Sequence, residues 1–460
     1  MTLSTFDCFG SHVSLTSAAA IEAWNQTQLA FLAHGASTPD HLGKTLELDP
    51  DFALAYACKG LFCLLLGRRE MVDAARAARR DAAEALARKP ASPREHTFFN
   101  ALDSWLKGSP KCAADLLAGL VDNDPTDAMA MKLVQAIRFT LGDAHGMRRC
   151  IETTLTALPQ DHAAYGYALG CHAFTLEETG EYQLAELTGR KAVLRSPNDA
   201  WGLHAVAHVH DMTHQTDAGI QWLSSQTSAW QHCNNFRYHV WWHLALLQLD
   251  KGAYEDVFAL YDTHIRADRT DDYRDISNAA SLLSRLELEG QDVGNRWDEL
   301  ADICEGRTED GCLAFADLHY LLALIGGERH DAIHALLTRM KRDANEESGE
   351  IAAIMKTPGL SAAEGLECFG EGNFSAAFRH LRKGHSAMQT IGGSHAQRDV
   401  FDRLTIEAAI RAGCFEDADH LLSKRTQQRA GREDAFASSR QTLIQSFLTN
   451  GGVANAVPAE

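Results

Sequence analysis

Proline is scarce in this chain, ten residues in 460, and stretches of alternating Val, Ile and Thr are scarcer still. Both shortages argue against a β-rich protein, whose strands and turns draw on those residues. No run of eighteen apolar residues occurs, so the sequence offers no membrane-spanning helix. Among the eleven cysteines there is no Cys-x-x-Cys pair, and their spacings match no zinc framework. Most of them sit inside apolar helical runs, as buried free thiols do, and a reducing cytoplasm is the expected compartment. The opening residues, MTLSTFDCFGSHVSL, lack a basic segment followed by an apolar one, so no secretory signal is expected there. Also missing are Gly-x-Gly-x-x-Gly, the Walker-type phosphate loop and Gly-x-Ser-x-Gly, which removes the commonest nucleotide-binding and serine-nucleophile signatures. Positive charge is in deficit, 43 Lys and Arg against 62 Asp and Glu, net −19. Neither nucleic acid nor an anionic membrane is therefore an expected partner. The one long basic stretch, RREMVDAARAARRDAAEALARK (68–89), reads as a single helix with its charges on the solvated side.

What is abundant is Ala, Leu and self-similarity. The segments DNDP (122–125), ALPQD (157–161) and RSPND (195–199) place prolines at 125, 159 and 197. Twelve residues before each stands Ala113, Met147 or Ala185, and five before that Gly108, Gly142 or Gly180. Weaker copies carry Gly67, Gly252, Gly327, Gly372 and Gly413. The glycine permits a tight turn between two helices, the small residue lets them cross closely, and the proline stops the second helix. About ten helical hairpins result, spaced by roughly 33 to 45 residues against the 34 of an ideal unit. The expectation is an all-α superhelix over residues 1–446, curled around a central cavity, with a flexible tail at 447–460. Segment 224–238, SSQTSAWQHCNNFRY, is expected to cap or fill the concave face.

The chemistry-bearing residues crowd into WGLHAVAHVHDMTHQ (201–215) and FRYHVWWHLALLQLD (236–250). At 100° per residue His204, His208 and Asp211 lie within about 60° of one another on a helix. His239, His243 and Asp250 share a stripe in the same way. His210 points to the opposite side, and His214 falls near a turn. Three readings of the set stay open. A histidine pair four residues apart offers two nitrogens on one face, and a carboxylate completes a shell for zinc, manganese or iron. A metal-free pocket can use the same His–carboxylate pairs for acid–base work. Or the groups form a buried polar network that fixes the packing of neighbouring repeats. Trp222, Trp230, Trp241 and Trp242 are close by in sequence and can wall an apolar pocket. Arg285 is a candidate anion-binding group.

The glycine–small–proline skeleton resembles the tetratricopeptide repeat over most of the chain. That resemblance implies that the stripes above, with Glu178 from the preceding unit, face the concave groove. The motifs LEETGxY (Glu177, Glu178, Gly180, Tyr182), HAVAHVxxM (His204, His208, Met212), HxWWHLAL (His239, Trp241, Trp242, His243) and the Asp317–His319 pair are similar to those of the tetratricopeptide repeat protein 38 family. Two departures are visible: His210-Asp211-Met212 stands where the family commonly reads Leu-Glu-Met, and this chain has Asn278 and Ser284 where the family tends to show an Asp before the Ser-Leu-Leu-Trp-Arg-Leu run. The family implies the fold and no settled reaction.

The site expected from the sequence is thus Glu178, His204, His208, Asp211, His239, Trp242, His243, Asp250 and Arg285, with Asp317 and His319 as further contributors. The leading expectation is binding of a small molecule or a peptide terminus, with a protein partner also compatible. The alternative is a hydrolase using a divalent metal held by His204, His208, His239 and His243, or a base drawn from His204, His243, Asp211 and Asp317.

Overall fold

The computed structural model of the protein describes residues 5–345 and 349–449. These form an all-α fold apart from a short antiparallel ladder of Thr5–Phe6 with His12–Val13 and one isolated bridge, Gly35 to Cys233. The helices are α1 (Ala18–Leu32), α2 (Thr38–Leu48), α3 (Ala53–Leu65), α4 (Arg69–Arg88), α5 (Pro93–Leu106), α6 (Pro110–Asn123), α7 (Ala128–Thr140), α8 (Ala144–Ala157), α9 (Tyr165–Glu178), α10 (Tyr182–Arg195), α11 (Ala200–Met212) and α12 (Thr216–Ser224). They continue as α13 (Phe236–Asp250), α14 (Tyr254–Leu260), α15 (Tyr273–Leu288), α16 (Arg296–Glu305), α17 (Ala314–Gly326), α18 (His330–Ala344), α19 (Glu350–Ile354), α20 (Leu360–Gly370), α21 (Phe374–Gly384), α22 (His395–Arg411), α23 (Phe415–Gln428) and α24 (Ala435–Thr449). Helix α24 runs through 447–449, where the tail was expected to begin, and 450–460 lie outside the described residues. None of the described helices is long and apolar enough to cross a membrane.

Most of the turn glycines do what their position demands. Gly67, Gly108, Gly142, Gly180, Gly252, Gly372 and Gly413 all take φ between 60° and 86° between two helices, the left-handed region that costs a residue with a side chain about 1–2 kcal/mol. Gly327 differs. Glu328 takes the left-handed turn at φ 57°, while Gly327 packs where a Cβ would stand 2.3 Å from the Ala301 methyl. The turn before α12 has no glycine, and His214 adopts φ 52° there. In α12 the residue that meets its neighbour is Gly219, against Leu247 and the His210 Cβ, while Ala218 is exposed.

The chain divides into two compact units. The first comprises the described residues of Met1–Val209, Gln226–Val240 and Ser348–Ile351. Its core is built on Trp24, Phe52, Phe98 and Leu102, all fully buried. Asp127 caps α7 by accepting the Ala130 N–H and also holds Arg94 at 2.6 Å. The second comprises the described residues of His210–Ser225, Trp241–Glu347 and Ala352–Glu460. Around Trp242, Tyr320, Phe401 and Phe436 it buries a network of ions. Asp399 contacts Arg403 and Arg425, and Asp434 contacts Arg403, Arg425 and Arg429.

Candidate metal-binding site

Two glycines set the spacing of the site in the first unit. A Cβ at Gly170 of α9 would lie 3.1 Å from the Gly202 Cα of α11 and 2.0 Å from the Asp199 Oδ2, so these helices touch backbone to backbone. Asp199 accepts the Gly202 N–H at 3.2 Å at the start of α11. Burial pushes its carboxyl up to about 7, against the Lys132 charge and the Gly202 and Trp201 N–H groups. Seven residues beyond Gly170 comes Glu177, and six beyond Gly202 comes His208. Glu177 Oε2 stands 3.4 Å from His208 Nδ1, both side chains fully buried.

From there the contacts form a line. His208 Nε2 lies 3.0 Å from His204 Nε2, and His204 Nδ1 lies 3.0 Å from the Trp201 carbonyl oxygen. A carbonyl only accepts, so His204 carries its proton on Nδ1 and turns a lone pair on Nε2 toward His208. The ring stays neutral. Burial holds it well below its ordinary pKa, helped by His208, His239 and His34 and opposed by the Trp201 carbonyl. If the Glu177 carboxylate likewise keeps a proton on His208 Nδ1, two nitrogen lone pairs face one another at 3.0 Å. Either a proton or a cation must then sit between them. Two nitrogens bound to one ion at the 2.0–2.1 Å of a zinc–imidazole bond stand about 3.0–3.4 Å apart. An outer nitrogen hydrogen-bonded to a carbonyl or a carboxylate is the usual arrangement behind a metal-bound histidine.

His239 of α13 is the third histidine of the cluster in this unit. His204, His208 and His239 each present a ring nitrogen within 4.8 Å of the others, and Glu177, Glu178 and His208 form a second such group. His204 and His208 are buried, whereas His239 is half-buried and forms the solvent side of the cluster. The rings around it are aromatic. Phe174 stacks on His204 at 5.6 Å, Trp201 lies at 4.7 Å and Phe236 at 5.1 Å. His34 stacks on Phe236 and Trp201, at 4.6 and 5.3 Å. Segment 224–238 explains how His34 arrives. Asn234 donates to the His34 carbonyl (2.8 Å) and Ala36 to the His232 carbonyl (3.0 Å), which hooks the α1–α2 turn beside the start of α13. On Trp201 rests Lys132, its Nζ 5.1 Å from the ring centroid.

Of the expected residues, the first unit brings together Glu178, His204, His208 and His239. His243, one turn further along α13, is buried and belongs with the second unit. The remaining members have other engagements within the second unit. Asp211 is held by Arg429 at 2.9 Å. Asp250 receives Thr216 Oγ1 (2.7 Å) and the Ala435 N–H (2.9 Å) and lies 3.0 Å from His214 Nδ1, so it ties helix ends together. Trp242 lies under the Arg285 guanidinium, 5.6 Å from ring to charge. Arg285 itself donates to the Ser281 and Ala396 carbonyls. Asp317 is paired with Arg339, and burial still raises its carboxyl to about 6. His210, on the opposite side of α11, is buried. His34, Phe174 and Trp201 also border the cluster without being expected there, and Glu177 rather than Glu178 faces His208 Nδ1. The LEETG motif held the signal for Glu177. Nothing near His34 announces it.

His319 makes a testable contrast with the cluster. Its Nδ1 donates to the Phe315 carbonyl at 2.7 Å. Burial brings it down to about 3, with the Arg285 charge adding and the Phe315 bond opposing. The unfolded chain takes a proton near pH 6.5 that the folded protein refuses. Stability is therefore flat above pH 6.5 and falls as pH drops toward 3, by up to about 1.4 kcal/mol per pH unit from this group. Urea unfolding of His319→Gln between pH 6.5 and 4 should show a shallower acid dependence than wild type; an unchanged slope contradicts the assignment.

No family model matches the chain. Fold and site together define an all-α protein of helical hairpins with a buried cluster of histidines and glutamates.

Proposed function

We propose that the protein is a tetratricopeptide-like repeat protein that binds a divalent transition metal through His204, His208 and His239, with Glu177 and Glu178 behind or beside it. The metal's open position holds a small molecule or peptide terminus, by a carboxylate or carbonyl oxygen. One observation carries this reading. His204 and His208 turn their Nε2 atoms toward each other at 3.0 Å, while their Nδ1 atoms face the Trp201 carbonyl and the Glu177 carboxylate. The imidazole-rich donor set suits zinc or iron better than calcium or magnesium, and manganese would draw on the glutamates as well. The glycine-turned hairpins support the repeat, and the LEETGxY, HAVAHVxxM and HxWWHLAL motifs support kinship with the tetratricopeptide repeat protein 38 family. They put the metal-ligating residue types at positions where a bare scaffold needs only Leu and Ala.

A second reading, metal-dependent hydrolysis, draws on the two glutamates. One carboxylate would suffice to orient His208, and the other, grouped with it, could serve as a base if a metal were bound. Titration of chelator-stripped full-length protein with zinc and with manganese, against a competing metal indicator, tests the binding. About one equivalent held more tightly than the indicator holds it is expected, as for a three-histidine site. Uptake no greater than that of an unrelated acidic protein sinks the proposal. Chelator-sensitive cleavage of a model ester or dipeptide by the loaded protein would promote the second reading over the first.

A further inference from the structure

Seven large hydrophobic side chains are exposed among the described residues, and three of them, Leu184, Leu187 and Leu194, are on α10 at 47, 69 and 82%. Singly exposed leucines are ordinary; three on one fourteen-residue helix are not. The inner face of α10 is small and satisfied. Ala185, Thr188, Gly189 and Ala192 are buried, and a Cβ at Gly189 would stand 2.6 Å from Val206. The leucines are on the other side, and with exposed Lys191 they occupy positions 184, 187, 191 and 194. That spacing is three, four, three: the a and d positions of two heptads. Such a stripe is the narrow seam of a helix pair rather than the broad apolar face of a helix lying on a core.

The charges around the seam are cationic, in a chain of net charge −19. Lys191 reaches over the Tyr165 ring at 5.7 Å. Arg190 is tied to Glu186 at 2.8 Å. Arg195 is exposed, with no acidic partner among the described residues. A second copy of α10 is a poor occupant. Antiparallel pairing of Leu184 with Leu194 brings Arg190, Lys191 and Arg195 of both copies into one seam, and parallel pairing sets Lys191 against Lys191. A membrane surface is a poor occupant too, because an interfacial helix needs a broad apolar face and this one is narrow and split by Lys191. We infer that α10 docks an amphipathic helix of a partner protein, apolar at its own a and d positions and acidic where it flanks Lys191 and Arg195. Complementary charges of this kind select the partner and its register.

The probe is a fluorescent synthetic peptide of about four heptads, Leu and Ile at a and d and Glu at e and g, with a twin carrying Lys at e and g. Its own glutamates keep the acidic peptide from pairing with itself. Anisotropy titrations use full-length wild type and a Leu187→Glu/Leu194→Glu variant, whose changes fall on exposed positions and whose helicity is checked by circular dichroism. Saturable binding of the acidic peptide is expected, weakened by salt, and about tenfold or more weaker for the basic twin and for the variant. No binding, or equal binding of both peptides, or undiminished binding to the variant overturns the inference. So does a concentration-dependent dimer in sedimentation that the variant abolishes, which would assign the face to a second copy. Flotation with phosphatidylglycerol vesicles that the variant abolishes would assign it to a membrane instead and equally overturn the docking helix.

Discussion

Replacing His204 and His208 together by Gln abolishes stoichiometric uptake of zinc or manganese, while circular dichroism stays that of a folded all-α protein. Glutamine keeps the bulk of imidazole and a polar end but offers a carboxamide oxygen, a weak ligand for these ions. The loss is expected to be complete because His204 and His208 supply the two Nε2 atoms that face each other at 3.0 Å, the pair on which the proposed site rests. A graded companion separates ligation from folding. Glu177→Gln leaves every histidine in place and removes only the charge facing His208 Nδ1. Partners of that kind are worth about 10–100-fold in metal affinity. If the double variant binds metal as wild type does, the site is misassigned. If Glu177→Gln leaves affinity unchanged, Glu177 is packing and nothing more. A double variant that unfolds and a wild type that takes up no metal would together return the histidines to a polar network that fixes the packing.

The largest stability effect is expected in the second unit, from Asp434→Asn. Asp434 is 1% exposed and stands 2.6 Å from Arg425, 3.2 Å from Arg403 and 3.5 Å from Arg429. Burial alone would raise its carboxyl; the three guanidinium groups outweigh that and hold it well below the usual carboxylate range. Asparagine can still accept the Ala437 N–H that Asp434 accepts at the start of α24, so the cap survives and the charge does not. The loss leaves Arg425 and Arg429 buried beside fewer negative charges, which costs about 3–5 kcal/mol when a buried pair is broken from one side. Because the folded carboxyl titrates below the unfolded one, its contribution is fully present above about pH 4 and fades as pH falls further. Urea denaturation at pH 7 and pH 3 checks both statements. A difference between variant and wild type below about 1 kcal/mol at pH 7, or one that does not shrink in acid, contradicts this account.

Helix, turn and face were legible in the sequence wherever they depend on neighbours along the chain. Gly67, Gly108, Gly142 and Gly180 announce their turns because only glycine is at ease with the positive φ they adopt. His204 and His208 announce a shared face because four residues nearly complete a helical turn. What the sequence could not convey is which stripe residue finds a partner elsewhere first. Asp211 is on the expected face of α11, yet Arg429, 218 residues away, holds it. Asp250 is drawn off by Thr216 and the Ala435 N–H. Glu177 and Glu178 differ by 100° around α9, and only the approach of two helices at Gly170 and Gly202 decides which reaches His208 first. His34 is the extreme case. Its place rests on backbone pairing with residues 232–234, long-range geometry without a local pattern.

The contact between Gly170 and Gly202 bears on how the same site is to be found in other chains. Histidines four apart arise by chance, as His330 and His334 show, so ligand spacing alone is a poor query. Two helices that meet without a single Cβ between them leave a rarer trace: glycine with glutamate seven positions on, followed by glycine with histidines two and six positions on. A chain that keeps both histidines but carries a larger residue at either glycine has its helices further apart, and its glutamate out of reach of the ring.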